Sequence, residues 1–270
     1  GLIIFCLVFC LIGVGLLFVC RRVVIQNRKL QVKRDEKIIE EIMKLEEMFW
    51  NNCVLGDNFP MPDGSNDYSK VLDSLYKDYK NVKTIALDLT KKNNCIKLHD
   101  MLKDEKIDIL INNAGFGDAG NFSETSLDKE LEMIDLNIKA YHILTKLFLQ
   151  DFIKRDYGRI LNVASMAGFM PGPYMATYYA TKSYIVNLSL AIYEELKRDK
   201  SNVKISVFCP GPVKTNFDKV ANVKFNMMQL DSEYASKYAI DNMFLNKLII
   251  VPPNMKLNKF LSKIAPTKMV

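Results

Sequence analysis

The apolar positions along the chain change their rhythm several times, and each change marks an element. Residues 2–20, LIIFCLVFCLIGVGLLFVC, carry no charge over 19 positions, and 14 of them are Leu, Ile, Val or Phe. That length is enough to span a bilayer as a helix. On the insertion scale the run totals very roughly −4 to −8 kcal/mol. Arg21, Arg22, Arg28, Lys29, Lys33 and Arg34 follow it, a positive flank that predicts a single-pass anchor with everything C-terminal on the cytoplasmic side. The run is too long for a cleaved signal peptide and has no small-x-small site after it. The competing reading is a buried strand and helix of an ordinary core.

Beyond the basic flank, Ile38, Ile42, Leu45 and Phe49 form one stripe of an amphipathic helix over about 33–50. Residues 55–67, dense in Pro, Gly, Asn and Asp, read as a loop, and a helix is expected near 68–79. Short apolar runs then alternate with helical stretches. Strands are expected at 82–90, 107–115, 158–165, 203–215 and 248–252. Helices are expected at 127–154 (with a break), 175–199 and 232–245. Strands separated by helices imply right-handed crossovers and a parallel sheet covered on both faces. The predicted class is α/β, a Rossmann-like doubly wound parallel sheet preceded by an apolar N-terminal helix. The division expected is 1–22 as a hydrophobic anchor, 23–67 as a linker and 68–270 as the catalytic domain.

Composition narrows the classes. A chain of 270 residues that is 49% hydrophobic can bury one large core. The net charge of +6 is spread over mixed-sign stretches such as KRDEK and EELKRDK, the pattern of solvated helix faces rather than of a nucleic-acid footprint. Six cysteines without a C-x-x-C pair and only two histidines predict neither a disulfide framework nor a metal site.

Candidate chemistry sits just after the predicted strands, where open parallel sheets bind ligands. In NNAG (112–115) the small Ala114 and Gly115 let backbone approach a ligand closely, beside Asn112. Ser165 ends a strand, and PGPVKT (210–215) is a stiff turn that fixes Thr215 over a pocket. In YYATK, Tyr178 and Lys182 lie four apart and share a helix face. A cation beside a phenol favours the phenolate, and such a tyrosine can exchange a proton at a carbonyl or hydroxyl carbon. A nearby serine hydroxyl would stabilise charge on the same oxygen. Taken singly, these residues are ordinary: a surface Tyr–Lys pair, a helix-capping Ser165, a structural amide at Asn137. Together and in this order they are specific.

NNAG, Asn137, Ser165, Tyr178-x-x-x-Lys182 and PGPVKT resemble the motifs of the short-chain dehydrogenase/reductase family, over about 82–270. Ser165 lies 13 before Tyr178, and Asn137 lies 28 before Ser165, as that resemblance requires. It implies Tyr178 as general acid/base and Lys182 as the residue that lowers its pKa and binds the nicotinamide ribose. It implies Ser165 as the orienter of the substrate oxygen and Asn137 as the holder of a relay water. On the cofactor side it implies Asp88, Asn112, Ala114 and Gly115 along the adenosine, with Pro210, Gly211 and Thr215 at the nicotinamide. The expected reaction is hydride transfer between NADP(H), in preference to NAD(H), and a carbonyl or alcohol, without a metal. The apolar, Met-rich stretch at 216–230 falls where the family has its substrate lid, so a lipophilic 3-oxoacyl or steroid-like substrate is expected. A homodimer or homotetramer is implied as well.

One family feature is missing. The glycine-rich cofactor turn would need Gly at 17 or 18 after Gly13 and Gly15, and those positions hold Leu17 and Phe18. Arg28 in RVVIQNRKL is a candidate for selecting a 2′-phosphate. Three readings follow: a membrane-anchored enzyme with an altered turn, a catalytically impaired relative acting as a tethered binding or scaffold protein, or a truncated or frame-shifted start, suggested by Gly1 in place of Met.

Overall fold

The computed structural model describes residues 2–8, 15–23, 82–215, 217–223 and 228–256. Its strands form one seven-stranded sheet in the order β3-β2-β1-β4-β5-β6-β7. They are β1 (Leu2–Val8), β2 (Gly15–Val23), β3 (Val82–Leu87), β4 (Ile109–Asn112), β5 (Arg159–Val163), β6 (Lys204–Phe208) and β7 (Ile249–Ile250). The chain builds outward from β1 in one direction and then returns to add β4 to β7 on the other side. This makes the β1/β4 boundary a topological switch point, and Leu7 pairs with Asn112 there.

The parallel half matches the sequence reading. β4 is buried at all four positions, and in β5 and β6 the central residues are buried too, as expected for strands covered on both faces. The flanking helices are α1 (Lys92–Leu102), α2 (Leu127–Ile134), α3 (Tyr141–Lys154), α4 (Ala176–Arg198), the single turn α5 (Phe217–Val220) and α6 (Ser232–Phe244). The sequence reading did not name α1, although Cys95, Leu98 and Leu102 make its buried stripe. The expected break in 127–154 is a π-helical segment, Asp135–Ala140, joining α2 to α3 without a turn. Leu98, Leu102, Leu110, Leu136, Leu144, Phe148, Phe152 and Ile160 belong to the larger core cluster. Ile185, Val186, Val207, Cys209 and Val251 belong to a second.

The N-terminal half departs from expectation. The run read as a spanning helix is two strands, β1 and β2, paired antiparallel from Leu2↔Val23 to Val8↔Leu16. Among the described residues no helix is long and apolar enough to cross a membrane. A fully apolar run has no polar positions to reveal its period, so helix and buried strand read alike from sequence. Here Gly15 opens the second strand. β2 also runs antiparallel to β3, so it alone opposes the direction of its neighbours in a sheet predicted to be parallel. The cause is chain length: six residues join Val8 to Gly15, whereas a parallel return needs about a dozen or more. The expected helices at 33–50 and 68–79, the loop at 55–67 and Arg28 lie outside the described residues.

Candidate active site

Three chain segments leave the sheet at its carboxyl edge and meet over one cavity of about 370 Å³. After β4 come Asn113 and Gly115, after β5 comes Ser165, and after β6 come Pro210, Gly211 and Thr215. α4 brings Tyr178 and Lys182 to the same cavity.

Ser165 stands in extended backbone at the start of a 3₁₀ turn (Met166–Phe169), where its Oγ accepts from the Ala167 N–H at 3.2 Å. It is therefore a helix cap, and it also lines the same cavity as Tyr178. Burial pushes the Tyr178 phenol above its ordinary value near 10, and the hydrogen bond with Ser165 only partly opposes it. The expectation was a phenol lowered by Lys182, and here burial is the largest influence on it. Nζ lies 5.8 Å from the centre of the Tyr178 ring and donates to the Val163 carbonyl at 3.1 Å. Burial dominates Lys182 as well, holding its ammonium at about 8 against the usual 10.5, with Cys209 pulling it upward. The site is a protonated phenol beside a lysine poised to change charge near neutrality.

Asn137 sits in the π-helical segment and is fully buried. Its Oδ1 accepts from the Phe116 N–H at 3.1 Å, and its Nδ2 donates to the Phe116 carbonyl at 2.8 Å and to Thr181 Oγ1 at 3.1 Å. Thr181 in turn donates to the Tyr178 carbonyl at 2.7 Å. Both amide N–H groups are thus used to tie the loop after β4 to α4. A Cβ on Gly115 would come within 2.8 Å of Asn137 Oδ1 and 3.5 Å of Lys182 Nζ, so only glycine permits this approach. Thr181 went unnoticed in the sequence, although it lies inside YYATK, one residue before Lys182.

Other expected residues divide. Pro210, Gly211 and Thr215 line the cavity, and Thr215 Oγ1 also accepts from the Phe217 N–H at 3.2 Å. Asn112 and Ala114 are buried beneath it instead. Asn112 Nδ2 donates to Thr145 Oγ1 at 3.0 Å and to Asn162 Oδ1 at 2.8 Å, so its side chain joins β4 to β5 and α3. Asp88 lies at the end of β3, away from the cavity lining, where Oδ1 accepts from both the backbone N–H and the hydroxyl of Thr90. It caps a turn.

The donor set fits the nicotinamide end of a dinucleotide. A buried ammonium with one N–H on Val163, a phenol and a threonine hydroxyl face one cavity, as a ribose diol and a carboxamide require. It does not supply a diphosphate cradle among the described residues. β1 leads into a hairpin rather than a helix N-terminus, and β2 carries Arg21 and Arg22 to the opposite edge of the sheet. Among the described residues no cluster of potential metal ligands is present.

A model of the short chain dehydrogenase family matches residues 61–224. The oxidoreductase UcpA of Escherichia coli is 39% identical over 114 residues, 42% of this chain and 43% of that protein. Two solved structures share the fold. The bulky-bulky ketone specific alcohol dehydrogenase of Comamonas testosteroni is 25% identical with a TM-score of 0.60, over 73% of this chain and 77% of that one. A short-chain dehydrogenase from Sphingobium yanoikuyae, in complex with NADPH, is 24% identical with a TM-score of 0.58, over 66% and 71%. The chain spans about half the length of the curated relatives it matches. With that model covering more than half of its residues and the Ser165, Tyr178 and Lys182 side chains gathered at one cavity, this chain belongs to the short chain dehydrogenase family.

Proposed function

We propose that this chain is an oxidoreductase that interconverts a carbonyl and an alcohol with a nicotinamide dinucleotide, NADP(H) before NAD(H), on a lipophilic substrate. The observation that carries the reading is that Ser165, the buried Tyr178 and Lys182 line one cavity at the carboxyl edge of the sheet. The nicotinamide, when bound, supplies or accepts the hydride. Tyr178, a phenol protonated at neutral pH and held the more firmly so by burial, donates its proton to the substrate oxygen in reduction and recovers it in oxidation. Ser165 positions that oxygen and shares its developing charge. Lys182, held near 8, can return a proton to the phenol side of the site. Lys182, Tyr178, Thr215 and the Pro210–Gly211 backbone would hold the nicotinamide and its ribose. Met166, Met170, Met175, Met255 and Phe208 give the cavity an apolar, adaptable wall, which suits a lipophilic substrate. A homodimer or homotetramer is proposed through the α3 and α4 faces, where Ile153 and Tyr184 are exposed.

The hairpin in place of a diphosphate turn favours a second reading, a catalytically impaired relative that binds without turning over. Thermal melting with saturating NADPH, then NADH, separates the two. Saturation at 100 times the dissociation constant adds about 2.7 kcal/mol, a shift of roughly 5–10 °C. A shift together with turnover that Tyr178→Phe removes supports the enzyme. No shift with either cofactor, and no turnover, supports the impaired relative.

A further inference from the structure

Phe217, two residues after Thr215, has a defined seat. Its ring centre lies 5.2 Å from that of Tyr178, tilted by 53°. Gly117 lies close to both rings: a Cβ there would come within 2.7 Å of Phe217 Cζ and 3.3 Å of Tyr178 Cδ2. α5 is pinned below by the fully buried Ala221, whose N–H donates to the Phe217 carbonyl at 2.8 Å, and Phe217 itself packs against the main core cluster. Yet the ring also lines the cavity.

We infer that Phe217 is the specificity-determining wall beside Tyr178, limiting the size of one substituent on the reacting carbon; this rests on the carbonyl–alcohol reading above. The substrate oxygen must reach the Tyr178 hydroxyl, so the groups flanking that oxygen share the cavity with the walls around the phenol. Those walls differ in kind. The thioethers of Met166, Met170 and Met175 rotate about several bonds and can yield to different shapes. Phe217 is a flat ring packed against both the Gly117 backbone and the Tyr178 ring, with fewer rotatable bonds than a methionine, so it yields less. A substrate therefore places its larger group against the methionines and its smaller group against Phe217.

The test compares acetophenone, with a methyl as its second substituent, and benzophenone, with a phenyl. Two readouts are taken: dissociation constants by calorimetry and kcat/KM with reduced cofactor. Phe217→Ala is expected to lower the benzophenone-to-acetophenone ratio of dissociation constants, and to raise that of kcat/KM, each at least about tenfold, because removing a ring from a pocket wall exceeds the effect of one methylene. Phe217→Leu, which keeps an apolar anchor for α5, moves each ratio the same way by less and covers the case in which the alanine variant does not fold. No gain for benzophenone in binding or in turnover, with both variants folded, overturns the inference. Absence of Tyr178-dependent turnover in the unaltered protein overturns the carbonyl–alcohol reading instead, and the binding comparison still decides the role of Phe217.

Discussion

The two sides of the switch point share one sheet and differ in what they offer a ligand. On the β4–β6 side each strand ends in a loop that delivers side chains to one cavity, and the buried α4 fixes Tyr178 and Lys182 over it. On the β1–β3 side β2 pairs back antiparallel onto β1, and among the described residues no helix N-terminus follows β1 at the carboxyl edge. One side holds the groups proposed to move a proton. The other, in this family's resemblance, would hold the phosphates that give a dinucleotide its affinity. The contrast teaches that, among the described residues, the groups proposed for the chemistry and the edge where phosphates would bind rest on different strands and different loops.

The harshest way to break that contrast is Tyr178→Phe. It keeps the ring contacts with Phe217 and Tyr179 while deleting the only part that carries a proton. Turnover is expected to fall about 10³-fold with little change in melting temperature, followed by oxidation of reduced cofactor. Equal rates would mean that the β4–β6 side is not the chemical half.

Lys182→Met comes next. The folded protein holds Lys182 near 8 and the unfolded chain near 10.5, so between these values the unfolded state binds more protons. Stability then rises with pH from about 8 toward 10.5. Below 8 the buried ammonium costs about 3 kcal/mol, which the methionine variant escapes. Chemical denaturation at pH 7 should find Lys182→Met more stable, with its advantage shrinking by pH 10; a constant difference would contradict burial as the cause.

Gly115→Ala is a smaller intrusion. Its Cβ meets Asn137 Oδ1 at 2.8 Å and must break the hydrogen bonds to Phe116 or shift the π-helical segment. A loss of about 2 kcal/mol in unfolding free energy is expected.

The smallest effect sharpens the comparison from the other side. If the β1–β3 side adds little, NADPH and reduced nicotinamide mononucleotide should bind within about tenfold of each other, under roughly 1.4 kcal/mol apart. A gap of a hundredfold or more, measured by calorimetry, would show that a working diphosphate site exists after all.

What could be read from the sequence followed from local pattern. The strand ending at Ser165, the long helix carrying Tyr178 and Lys182 at i and i+4, and the stiff turn at Pro210 are written in short-range periodicity and spacing, and they appear within a few residues of their expected bounds. Three things were settled by tertiary structure. The apolar run 2–20 could be helix or strand, because its uniform hydrophobicity suits any buried element; pairing with β3 and β4 made it a hairpin. The spacing of Asn112 and Asp88 did not reveal that their side chains hydrogen-bond Asn162, Thr145 and Thr90, partners up to 50 residues away. The direction of the Tyr178 and Lys182 pKa shifts depended on burial, which no spacing reveals: the same i,i+4 pair on a wet surface favours phenolate, and under a folded core it favours the neutral phenol.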